Sequence, residues 1–124
     1  MPVIRAAEAQ VHEMHNARFT SYIRPETGST ELCVWQTGID PGTVGVGHKI
    51  LREEAFVLIR GAVTLHIDGE ASALEPGDAA IAPAGSTISI DNTGSEPAAL
   101  VVTVPVGFAA ELADGTRLTP PWAG

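Results

Sequence analysis

The chain has 124 residues, 44% of them hydrophobic and 18% charged, with a formal net charge of −8; such a chain forms one domain with a real core and is not a disordered segment. Seven basic residues stand against fifteen acidic ones and form no cluster, which excludes nucleic acid and anionic membrane surfaces as partners. A single cysteine, Cys33, excludes an internal disulfide and a zinc site built from cysteine pairs, and the absence of an apolar leader or membrane-length run places the protein in the cytoplasm.

Thirteen glycines and nine prolines are spread along the chain, as many short strands joined by tight turns require. Residues 1–18 are mixed, with a short helical turn at Ala6 to Gln10. Phe19 to Ile23 reads as a strand stopped by Pro25 and Thr27-Gly28. Glu31 to Ile39 follows, rich in aromatic and β-branched residues, and stops at Asp40-Pro41-Gly42. Thr43 to Ile50 and Ala55 to Arg60 flank a charged turn at Arg52-Glu53-Glu54. Val63, Leu65 and Ile67 alternate with Thr64 and His66, the period of a half-buried strand. Asp68-Gly69 is a hairpin turn. Ala71 to Leu74, Ala79 to Ala82, Ile88 to Ile90 and Ala98 to Val104 complete the strands, separated by Pro76-Gly77-Asp78, Pro83-Ala84-Gly85 and Asn92-Thr93-Gly94. The tail from Gly107 to Pro120-Pro121-Trp122 drapes over the sheets. About eight to ten strands at this spacing predict an all-β fold, a sandwich or a barrel. It forms a single domain over residues 1–124, with a core at about 30–105, an N-terminal arm 1–29 and a C-terminal tail 106–124.

Strand parity decides which side chains meet. His48 and Ile50 share a face, as do Glu54, Phe56 and Leu58, Ile88 and Ile90, and Val102 and Val104. Paired across a hairpin, His48 and Glu54 lie side by side. If these residues point inward, they make an apolar cavity containing one imidazole and one carboxylate. Val57 and Ile59 face the other way yet are also apolar, so something must cover that side too: the N-terminal strand or a second copy of the chain. His66 lies opposite in parity to the core and reads as a solvent or interface histidine; His12 and His15 read as surface. Cys33, Trp35 and Phe56 read as packing, Arg52 and Glu53 as a solvated turn, and Arg60 as a partner for a carboxylate at the rim.

Two stretches carry a family resemblance. Gly42, His48, Glu54 and Gly61 fit the pattern Gly-x5-His-x-His-x3-Glu-x6-Gly, with Ile50 at the second histidine. Gly77, Pro83, Gly85 and Asn92 fit Gly-x5-Pro-x-Gly-x2-His-x3-Asn, with Ile88 at the histidine. These paired motifs resemble those of the cupin superfamily. The resemblance implies a small β-barrel, a jelly-roll of two antiparallel sheets, commonly paired as a homodimer. It also implies a ligand set of three histidines and a glutamate, of which only His48 and Glu54 remain. Isoleucine offers no lone pair, so no cofactor is expected; a divalent transition metal, held by His48 and Glu54 with His12 or His15 as a third ligand, is the alternative.

Three functions follow. The first is a small-molecule enzyme, metal-independent or weakly metallated, transferring protons as an isomerase, cyclase or dehydratase. Its catalytic residues are His48 and Glu54, in a pocket walled by Trp35, Ile50, Phe56, Ile88, Ile90 and Val102. The second is a binding protein for a small molecule without chemistry. The third is a metal-dependent dioxygenase, which needs the ligands that Ile50 and Ile88 replace.

Overall fold

Period-two alternation builds two facing layers in the computed structural model, which describes residues 3–124; the first two residues of the N-terminal arm lie outside the described residues. The strands are β1 (Gln10–Met14), β2 (Ala17–Ile23), β3 (Leu32–Ile39), β4 (His48–Ile50), β5 (Glu54–Arg60) and β6 (Val63–Ile67), followed by β7 (Glu70–Leu74), β8 (Ala79–Ala82), β9 (Thr87–Asp91), β10 (Ala98–Pro105), β11 (Ala110–Glu111) and β12 (Arg117–Leu118). One six-stranded sheet has the order β1-β2-β3-β10-β5-β8 and the other β12-β11-β4-β9-β6-β7, with every pairing antiparallel. This is the expected jelly-roll. The sheets form a sandwich and do not close into a continuous barrel.

The inner faces follow the alternation. In the first sheet Cys33, Trp35 and Ile39, Phe56 and Leu58, and Leu100, Val102 and Val104 point inward and are buried. Ile50, Val63, Leu65, Leu74 and Ile88 answer them from the second sheet, and all belong to one core cluster. Burial of a side chain of this size stabilises the fold by roughly 1.5–3 kcal/mol.

Three strands were not legible in the sequence. β1 is largely exposed and pairs with β2 through a two-residue turn. Both turn residues, His15 (φ 50°) and Asn16 (φ 63°), take the positive φ that such a turn needs. β11 and β12 are two-residue ladders in the tail. Conversely, the strand expected over Thr43 to Ile50 is laddered only at His48–Ile50, with a single bridge from Thr43 to Asn92.

The tail does more than drape. The Trp122 ring stacks on Phe19 at 3.8 Å and 4°, and meets Trp35 edge-on at 6.3 Å. Ser21 Oγ donates to the Trp122 carbonyl at 2.7 Å, and Arg24 Nη1 donates to the same Ser21 oxygen at 2.7 Å. The tail thus covers the inner face of β1–β3 beyond the reach of the second sheet. β1 and β2 extend the first sheet sideways and leave Val57 and Ile59 uncovered, at 40% and 47% exposure.

Gly42, Gly61, Gly77 and Gly85 all have positive φ, as their turn positions predict. Gly61 is the most demanding: φ is +75°, and a Cβ there would lie 2.6 Å from the Pro97 carbonyl oxygen. Gly61→Ala is expected to destabilise the protein by about 2–3 kcal/mol in urea denaturation. Gly69→Ala, at φ +83° but with open space around the new methyl, should cost only about 1–2 kcal/mol.

Candidate functional site

His48 opens β4 in one sheet and Glu54 opens β5 in the other. The expected hairpin between them does not form: the charged turn at Arg52-Glu53 carries the chain across the sandwich, and the two side chains look inward from opposite layers. His48 stands opposite the buried Ile88 and shares its face with Ile50. Glu54 stands opposite Ala82 and shares its face with Phe56 and Leu58. No hydrogen bond or ion pair joins His48 to Glu54.

Glu54 is 6% exposed, and its Oε1 has no hydrogen-bond partner. Burial raises its pKa from 4.5 to about 8, because an isolated carboxylate in an apolar interior is costly and a proton neutralises it. His48 is half-buried, and burial lowers its pKa below the ordinary 6.5, opposed by the contact between Nδ1 and the Val46 carbonyl at 3.3 Å. At neutral pH the site therefore holds a protonated carboxyl group and a neutral imidazole.

Trp35, Ile50, Phe56, Ile88 and Val102 are buried in the core, and Ile90 packs against it. Two surface hollows lie elsewhere. One, of about 680 Å³, sits by the β1–β2 turn and includes Arg18, Gln36 and Arg60. The other, of about 430 Å³, lies between Gly61, Pro76 and Asn92. Neither borders His48 or Glu54, so the chemistry does not coincide with either hollow.

The remaining expected residues fall elsewhere. His15 is exposed in a turn. His12 lies on β1, four strands from β5, with its ring 6.2 Å from Trp122. Neither is placed to join Glu54 as a ligand. Arg60 is exposed and makes no ion pair; the pairs among the described residues are Arg18–Glu13, Arg24–Glu26 and His66–Asp91. His66 faces outward as expected, but it is bound: Nε2 lies 2.8 Å from Asp91 Oδ2. That partner was missed because Asp91 reads as an ordinary outward strand residue.

A resident divalent ion would need three or four donors. His48 and Glu54 supply two, Ile50 and Ile88 none, and no group of three His, Cys, Asp or Glu side chains is gathered among the described residues. The orphaned Glu54 oxygen suits a metal, but the donor set as a whole does not fit one, and no chemistry below is routed through it.

Fold, motif spacing and site together define a jelly-roll domain with its polar groups between the sheets. A family model for the cupin domain matches residues 35–104. The chain belongs to the cupin family. No curated protein matches it in sequence. Among solved structures it is similar to the polyketide cyclase RemF from Streptomyces resistomycificus, with a TM-score of 0.76 and 14% identity over 85% of this chain and 79% of that one. It is similar to a predicted oxalate decarboxylase from Thermotoga maritima, with a TM-score of 0.73 and 20% identity over 83% and 97% of the two chains. It also resembles salicylate 1,2-dioxygenase from Pseudoaminobacter salicylatoxidans, with a TM-score of 0.67 and 19% identity over 77% of this chain but 26% of the dioxygenase. At these identities the likeness is one of fold.

The Glu54 carboxyl couples stability to pH. Unfolded, it ionises near 4.5; folded, only near 8. Between those values the unfolded state has lost a proton that the folded state keeps, so stability falls as pH rises through this window, by roughly 5 kcal/mol in all. Denaturation at pH 5, 7 and 8.5 should show this loss in the wild type and a much flatter response in Glu54→Gln.

Proposed function

We propose that this cupin is a cytoplasmic small-molecule enzyme that moves protons without a metal, as an isomerase, cyclase or dehydratase. The carrying observation is the buried Glu54 carboxyl, kept protonated near neutral pH with an oxygen left without a partner. Buried polar atoms in native proteins nearly always have a partner, whether protein, water, ion or ligand, and a substrate oxygen is the partner that this reading assigns. Glu54 is the general acid, hydrogen-bonding and protonating a carbonyl or hydroxyl oxygen. His48 is the general base. Its Nδ1 lies against a carbonyl, which only accepts hydrogen bonds, so Nδ1 carries the hydrogen and Nε2 holds the lone pair that takes a proton from carbon. Trp35, Ile50, Phe56, Ile88, Ile90 and Val102 exclude water and favour an uncharged substrate, since none of these six side chains carries a charge. The polyketide cyclase among the structural neighbours supports the class of reaction.

Turnover screened on keto sugars and aromatic polyketide precursors should be confined between two limits. It rises as His48 becomes neutral, below the ordinary 6.5, and falls as Glu54 ionises near 8. Glu54→Gln and His48→Ala should each lose roughly 10²–10⁴-fold in kcat, with substrate affinity kept within about tenfold. Normal turnover in both variants would overturn the assignment, and binding without turnover would identify a binding protein. About one transition metal per chain by elemental analysis, lost in His48→Ala, would favour a dioxygenase.

We further propose that a second copy covers the outer face of the first sheet. Val57, Ile59 and Ile81 are 40%, 47% and 54% exposed there, on β5 and the neighbouring β8. Light scattering at micromolar concentration should give the mass of a homodimer, and Val57→Lys combined with Ile59→Lys should give a monomer.

A further inference from the structure

His48 faces inward because of one extra residue in the chain before it. Thr43 bridges Asn92, and His48 pairs with Ile88. Between these two pairings the first segment has four residues, 44–47, and β9 has three, 89–91. Continued without that extra residue, the register set by Thr43 and Asn92 would bring His48 opposite Thr87. Because side chains alternate, the imidazole would then point with the exposed Thr87 side chain to the outer face. The extra residue acts as a β-bulge does, re-aiming the side chain that follows it, and is called the bulge below.

The bulge is costly in other respects. Val44 and Val46 are each 74% exposed, the most exposed large apolar residues described. Gly45 is pressed against the backbone of β9, where a Cβ would collide with the Ile90 carbonyl. Apart from the contact of His48 itself, one side-chain hydrogen bond from outside reaches the backbone of residues 44–47: Gly45 N–H donates to Asp91 Oδ1 at 2.8 Å. The other Asp91 oxygen accepts from His66 Nε2 at 2.8 Å. One residue beyond Gly45, the Val46 carbonyl holds His48 Nδ1.

We infer that Asp91, oriented by His66, is a positioning residue that fixes the bulge and thereby the inward aim and the tautomer of His48. Neither residue touches the space between the sheets; both act from the outer face through Gly45 and Val46. The inference rests on reading His48 as the base, but its test needs no substrate. If Glu54→Gln and His48→Ala kept full turnover, the catalytic reading would fail while the positioning of His48 could still be measured.

The experiment is ¹⁵N NMR of the histidine side chains at a pH where His48 is neutral. In the wild type, His48 should show one tautomer, with hydrogen on Nδ1 and a lone pair on Nε2. Asp91→Ala should give a mixture of tautomers with a correctly folded far-UV spectrum, and Asp91→Asn, whose side-chain oxygen still accepts from Gly45, should restore the single form. His66→Ala should shift the population in the same direction by a smaller amount, and it serves as the deciding variant if Asp91→Ala does not fold. A single Nδ1–H tautomer retained in folded Asp91→Ala, or in His66→Ala where that is the deciding variant, would overturn the inference.

Discussion

The interior between the two sheets has room for only one kind of side chain, and the fold follows from that constraint. Both layers alternate along most of their length, so a residue's place in its strand largely decides whether it meets hydrocarbon or water. The inner rows are almost wholly apolar, from Cys33 and Trp35 on β3 to Ile88 on β9. Glu54 occupies one of those places without a countercharge. Its carboxyl survives there by keeping its proton, and the energetic tension of that arrangement is concentrated in one oxygen atom.

This constraint also accounts for the division of labour between the sheets. His48 and Glu54 are supplied by different layers, with no hydrogen bond or ion pair between them. A molecule lying in the gap would be flanked by a donor on one side and an acceptor on the other. Ile50 and Ile88, buried to 0% and 2% exposure, offer no donor atom and make the interior drier. A drier environment is what holds Glu54 protonated and His48 neutral.

Much of this was legible in the chain itself. Alternation and turn residues give most of the strands, and the spacing of Gly42, His48, Glu54 and Gly61 points to the cupin fold and its polar centre. What stayed hidden depends on relations that alternation does not carry. An extra residue in Val44-Gly45-Val46-Gly47 leaves no mark, because glycine fits either face, so the short ladder of β4 and the contact of Asp91 with Gly45 emerge only from the register. β1 was missed because its residues are exposed and show no buried stripe. The crossing of the chain at Arg52-Glu53 reads as a hairpin in the sequence because a charged turn looks the same whether it joins strands of one sheet or of two.

The hydrogen bond from Ser21 to the Trp122 carbonyl closes a loop of 101 positions. Contacts of such span form late, since ordering the intervening chain must precede any gain from joining its ends. The packing of Phe19, Trp35 and Trp122 then belongs to the last stage of folding, after the central strands have found one another. Until that stage is complete, the Phe19 and Trp35 rings that Trp122 covers stay uncovered on that side, and this is the interval in which nascent chains would be most prone to stick to each other.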